Sequence, residues 1–111
     1  MSNMETMHTQ IVAGPVEFNS PTNYTIIDKQ ADTVLQNIHI QKGPVKEEGL
    51  NGIFIEDMLL ICINQLEYFE RSSYACQENV DTLRHLRNAL YSTRARQYER
   101  LLRGVQGRNL K

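Results

Sequence analysis

The sequence predicts an α+β fold: a small N-terminal antiparallel β region followed by a two-helix antiparallel hairpin, in a chain that self-associates. Three observations carry this. Period-two alternation with β-branched residues lies only before residue 42, and apolar residues recur at three- and four-residue spacing only after residue 53. A glycine- and proline-bearing stretch separates the two patterns. With 111 residues and no tryptophan, the chain can bury only a limited core, which favours oligomerisation.

Residues 1–22 read as an N-terminal arm, polar, holding Pro15 and Pro21, with one short strand near Gln10–Val12. The remainder, 23–111, reads as a single domain. Its β region, 23–42, contains strands at Tyr24–Asp28 and Val34–Gln41; in the second, Ile38 and Ile40 face opposite to His39 and Gln41. The loop 43–52 holds Gly43, Pro44, Gly49 and Gly52 and lacks both the phosphate-loop and the dinucleotide-binding glycine patterns. The hairpin spans 53–104. Its first helix runs from Ile53 to about Arg71, with Ile55, Met58, Leu59, Cys62, Leu66 and Phe69 on one stripe and Cys62 expected as a small core residue. Its second runs from Gln77 to about Arg103, with Val80, Leu83, Leu86, Leu90, Tyr98, Leu101 and Val105 on its apolar stripe and Gly104 or Gly107 as its stop.

Net charge is −1, but the charge is unevenly spread. Residues 1–72 carry ten acids and four bases; residues 73–111 carry eight bases and three acids. The C-terminal part therefore suits an anionic partner, or pairs with the acidic half within an oligomer. The N-terminal ten residues are polar and form no signal core, and the longest apolar run, Met58–Ile63, is too short to span a bilayer. Cys62 and Cys76 form no metal-type pair, and both are expected reduced, as in a cytosolic protein.

Arg96, Arg100 and Arg103 stand at i, i+4 and i+7 and share one face of the second helix, with Arg94 offset. Guanidinium forks on one face match the paired oxygens of phosphate or pyrophosphate. The same arginines equally suit a solvated helix end, where the dipole favours cations. Phe69 closes the first helix and Asn79 opens the second. A ring to stack on and an amide to read a base edge are what a purine site needs; read on their own, Phe69 fits a core position and Asn79 a near-cap position. His8, His39 and His85 are scattered, no serine sits at a nucleophile elbow, and no carboxylate pair is identifiable as catalytic. Neither an enzyme nor a cofactor is called for.

The run Gly43-Pro44-Val45-Lys46-Glu47, followed by Asn51-Gly52 and Glu56-Asp57, resembles the loop and first-helix entry of a family of small phage proteins. These are the Thoeris anti-defence and anti-CBASS cyclic-nucleotide sponges, which share a helical-hairpin domain. The turn Ala75-Cys76-Gln77-Glu78-Asn79 and the run Arg94-Ala95-Arg96, Arg100, Arg103-Gly104-Val105-Gln106-Gly107 fit the same family, so the resemblance covers roughly residues 40–107. The chain departs from the family at Arg87 and Asn88, where acids are usual, at Ser92, where tryptophan is usual, and at Gln106-Gly107-Arg108.

The resemblance implies a protein that sequesters a cyclic nucleotide immune signal in the cytoplasm of an infected bacterial host without cleaving it. The implied ligands are glycocyclic ADP-ribose or cyclic di- and trinucleotides. It also implies a homo-oligomer, a dimer or a hexamer built from dimers, with pockets between subunits. Carried over by position, Phe69 stacks on adenine, Asn79 contacts the base, and Arg96 and Arg100 hold the pyrophosphate, with Arg103 a further candidate. The alternative from composition is a small phage regulator that lays the basic helix on a nucleic-acid backbone, which the acidic first half disfavours.

Overall fold

The computed structural model describes residues 4–104. The described chain forms two compact units, divided between Ile53 and Phe54. Within the first lies an antiparallel sheet of strands β1 (Met4–Glu5), β2 (Thr9–Ala13), β5 (Asn23–Asp28) and β6 (Thr33–His39), in the order β1-β2-β5-β6. Strands β3 (Val16–Glu17) and β4 (Ser20–Pro21) form a separate two-stranded ribbon. α+β character, with the antiparallel sheet preceding the helices, is thus as the sequence predicts.

The stretch expected as a loose arm supplies β1 to β4. Thr9–Ala13 is an inner strand, with Thr9 opposite Asp28 and Ala13 opposite Tyr24. The strand signal there is short because a tight turn interrupts it and three of the four strands have only two residues. Between β3 and β4, Phe18 and Asn19 both adopt positive φ, 54° and 79°, the backbone of a two-residue hairpin turn whose twist matches its strands. Between β5 and β6, Asp28 Oδ1 accepts from the backbone N–H groups of Gln30 and Ala31 at 2.9 and 3.0 Å. That is an Asx turn, which holds the reversal without glycine.

The loop after β6 is more ordered than a plain connector. It contains a four-residue helix, α1 (Val45–Glu48). Gln41 Nε2 donates to the carbonyls of Gly43 and Gly49 at 3.1 and 2.8 Å. Asn51 accepts from the Lys42 N–H and donates to its carbonyl, at 2.7 and 2.9 Å. The loop closes where Ile40 and Ile53 form a parallel bridge. At Gly52 an added Cβ would lie 2.5 Å from the Ile40 carbonyl carbon, so only glycine lets the two backbones approach.

The second unit holds α2 (Ile55–Glu70) and α3 (Gln77–Leu102). Asp57 Oδ2 accepts from the Phe54 N–H at 2.8 Å, satisfying one orphan donor at the start of α2. α3 ends at Gly104, which adopts φ +72° as a left-handed C-terminal residue. Gly107, the other expected stop, and Val105, expected on the apolar stripe, lie outside the described residues.

Burial is sparse. Among the described residues, Thr22 is buried in the first unit, and Ile63 and Leu83 are buried in the second. Cys62, expected in the core, is exposed. Tyr98 and Leu101, expected on the core side of α3, are also exposed, at 63% and 56%. For Tyr98 and Leu101 the cause is unequal length. α3 has 26 residues and α2 has 16, about 39 Å against about 24 Å. Glu56, one residue into α2, is already matched by Arg94 and Gln97. Residues after 97 therefore run past the start of α2, and their apolar side chains have no partner on it. Among the described residues, no helix is long and apolar enough to cross a membrane.

Candidate functional site

Two places in the second unit carry the expected site residues. The first is the connection between α2 and α3. Ser72 Oγ donates to the Phe69 carbonyl at 2.6 Å, closing the last turn of α2. Glu70 Oε1 accepts from the Cys76 N–H at 3.1 Å, and Asn79 Nδ2 donates to the Tyr74 carbonyl at 3.3 Å. These bonds fix the connection through side chains from both helices. Phe69 and Asn79 flank it, the phenyl ring 45% exposed and the amide half-buried. The Tyr74 bond occupies one of the two N–H groups of the Asn79 amide. Tyr68 carries the Arg71 guanidinium 4.7 Å above its ring.

The second place is the C-terminal part of α3. Here the arginines divide by face. Arg94 Nε donates to Glu56 Oε2 at 2.6 Å, and Gln97 Nε2 donates to Glu56 Oε1 at 3.2 Å. Further back along α3, Arg87 Nη2 donates to Glu67 Oε2 at 2.9 Å. Progress along α3 therefore runs back along α2, and Arg87 and Arg94 are committed to it. The Arg94 guanidinium, helped by the Gln97 amide, holds the Glu56 carboxyl below the usual glutamate range.

Arg96, Arg100 and Arg103 point elsewhere. At about 100° per residue they project roughly 120° around the helix from the edge that Arg94 and Gln97 present to Glu56. The sequence missed a member of this group. Glu99 Oε2 accepts from Arg96 Nη1 at 3.3 Å, and Glu99 Oε1 is ion-paired with Arg103 Nε. The signal was present, because Glu99 lies three residues after Arg96 and four before Arg103, the spacings at which helical side chains meet.

Phe69 and Asn79 thus share one end of the second unit, and Arg96, Arg100 and Arg103 share the other. Asn79 and Arg96 lie in the same helix 17 residues apart, roughly 25 Å along its axis. A single chain does not bring the aromatic and amide groups to the arginines. The histidines do not gather either: His39 Nδ1 is hydrogen-bonded to Asn23 Oδ1 within the sheet, whereas His85 is an exposed α3 residue.

No protein-family model matches the chain. A protein of Bacillus phage SBSphiJ7 named "Thoeris anti-defense 1" is 31% identical to it over 130 aligned positions, spanning 94% of this chain and 92% of that protein. The similarity runs through the sheet and both helices, and is not confined to the arginine-bearing segment. On that extent and identity, the chain belongs to the Thoeris anti-defense 1 family.

Proposed function

We propose that the chain is a phage protein that opposes Thoeris immunity in the host cytoplasm by binding a cyclic nucleotide signal, glycocyclic ADP-ribose or a cyclic oligonucleotide, and withholding it uncleaved. The observation that carries this is the arginine face of α3, Arg96 with Arg100 and Arg103, in a chain similar over its length to a protein named for Thoeris anti-defense.

In this reading Arg96 and Arg100 hold the pyrophosphate, Arg103 assists, Phe69 stacks on the base and Asn79 reads its edge. The roughly 25 Å from Asn79 to Arg96 requires two chains: one contributes the ring and amide, the other the guanidiniums. Self-association has independent support. Every residue of β2 and β5 is only half-buried, and Val34 and Leu35 of β6 are more than half exposed. A sheet with so little cover needs a second layer. The exposed Tyr98, Leu101 and Leu102 beyond α2 likewise offer apolar surface to a neighbour. An antiparallel helical hairpin, assembled as a dimer or a hexamer of such hairpins, would supply both.

Sequestration needs slow release and no turnover. Charge-assisted hydrogen bonds contribute about 1.5–3 kcal/mol each. A few of them with one stacked ring reach nanomolar affinity, about −12 kcal/mol, when assembly has already fixed the groups. A nucleic-acid regulator is disfavoured because Arg87 and Arg94 are bonded to carboxylates of α2, which shortens the run of α3 arginines that a long phosphate backbone could follow.

Calorimetry of the full chain against a panel of cyclic nucleotides tests the proposal, followed by denaturation and mass analysis of the released ligand. Tight binding with intact ligand is expected. Absence of binding across the panel, or a chemically altered ligand, overturns it.

A further inference from the structure

The Glu99 carboxylate occupies an unusual position for an acid. It stands on the arginine face of α3, and its two oxygens are divided between two guanidiniums, Arg96 three residues before it and Arg103 four residues after it. Arg100, adjacent in sequence, adds a third cation to the same stretch. A phosphate group offers arginines the same thing, anionic oxygens that each take an N–H from a guanidinium fork. The pairing is exposed, with the three side chains about half accessible, so an incoming solute can reach it.

We infer that Glu99 is an internal counter-anion that occupies the phosphate position of Arg96 and Arg103 until a phosphorylated ligand displaces it. The inference rests on the reading of this arginine face as a phosphate site. Glu99 then acts as a specificity determinant. A monoanion with one charged group gains little over the tethered carboxylate. A pyrophosphate, with more charge and more oxygens, displaces it. Once displaced, the carboxylate stays on its helix beside the bound anion and repels it. The resident acid therefore lowers affinity for every phosphate ligand, and the fixed cost of displacing it takes the larger share of the binding energy of the weakly charged ones.

The test is titration of the full chain with inorganic pyrophosphate in low-chloride buffer, comparing wild type, Glu99→Gln, Glu99→Asp and Arg96→Ala. Removing one like charge about 5 Å from the bound anion is expected to tighten pyrophosphate binding about fivefold in Glu99→Gln. Glu99→Asp keeps the charge and is expected to show no tightening. Arg96→Ala is expected to weaken binding. A Glu99→Gln affinity equal to or weaker than wild type overturns the inference, because Glu99 would then be orienting the arginines and not competing for them. Equal tightening in Glu99→Gln and Glu99→Asp also overturns it, since the gain would come from loosening the helix end.

Parallel titrations with the cyclic-nucleotide panel separate this from the functional proposal. Cyclic-nucleotide binding that Arg96→Ala loses and Glu99→Gln leaves unchanged overturns the role of Glu99 alone. Tighter pyrophosphate binding by Glu99→Gln, with no cyclic nucleotide bound by any form, overturns the functional proposal alone.

Discussion

Residues 80–97 of α3 lie alongside α2, and residues 98–102 continue beyond the point where α2 begins. The two stretches share a composition of leucine, tyrosine and arginine. In the first, Leu83 is buried and Arg87 and Arg94 bond to α2. In the second, Leu101 and Leu102 are exposed, and Arg103 pairs with Glu99 of its own helix. What separates them is the presence of a partner helix. One continuous helix therefore carries a stretch that holds the unit together and a stretch that presents charge outward.

Substitutions that strike one stretch and spare the other probe this division. Leu83→Ala has the largest expected effect, a loss of about 3 kcal/mol in stability from a buried leucine, read by thermal or denaturant unfolding. Below the lowered melting temperature, ligand affinity should stay near wild type; a loss of affinity there would mean that the two stretches are not separable. Arg96→Ala, at the end of the first stretch but on the face turned from α2 and paired with Glu99 of the second, should do the reverse. We expect ligand affinity to fall about 30-fold, the loss of about 2 kcal/mol from one charge-assisted contact, with an unfolding midpoint within a degree or two of wild type. Arg100→Ala should behave alike, and unchanged affinity in both variants would remove the arginine face from the site. Arg94→Ala should be milder, a small loss of stability because pairs this accessible contribute little, and should leave affinity unaltered.

The smallest effect concerns acid. Because the Glu56 carboxyl is held below its ordinary value of about 4.3, it contributes stability above that value and loses it as pH falls through the depressed folded one. Glu56→Gln should flatten the acid limb of the stability curve below about pH 4, and Arg94→Ala should reproduce the flattening. An acid limb unchanged in both would show that the clamp on α3 is not electrostatic.

Helices α2 and α3 are legible in the sequence to within a residue or two, whereas α1 lies in a stretch read as a loop. Their apolar spacing, the acids in their first turns and Gly104 are strong local signals. Of the strands before residue 22, β2 is legible, as the short strand near Gln10–Val12. β1, β3 and β4 have only two residues each, and the β3–β4 turn depends on positive φ at Phe18 and Asn19, where no glycine marks the reversal. That Arg96, Arg100 and Arg103 share a face follows from their spacing alone, whereas Glu99, an acid within a basic run, looks like ordinary surface variety until its pairs with Arg96 and Arg103 are seen. The exposure of Tyr98 and Leu101 is beyond periodicity, which says which side of a helix is apolar and nothing about where the covering helix stops; Cys62 is exposed because Ile63, about 100° around α2 from it, takes the buried position. The distance between Asn79 and Arg96, in contrast, follows from helix length alone.

The overrun of α3 past α2 also bears on how such a protein can change over generations. Side chains there contribute little to the folding of their own chain, so exchanges among them carry a small stability cost. Under the proposed function, selection against a shifting host signal can rework charge, reach and shape at that tip, in steps that leave Ile63, Leu83 and the clamp at Glu56 as they are. A helix that outlasts its neighbour is thus a place where binding preference can drift without the scaffold having to follow.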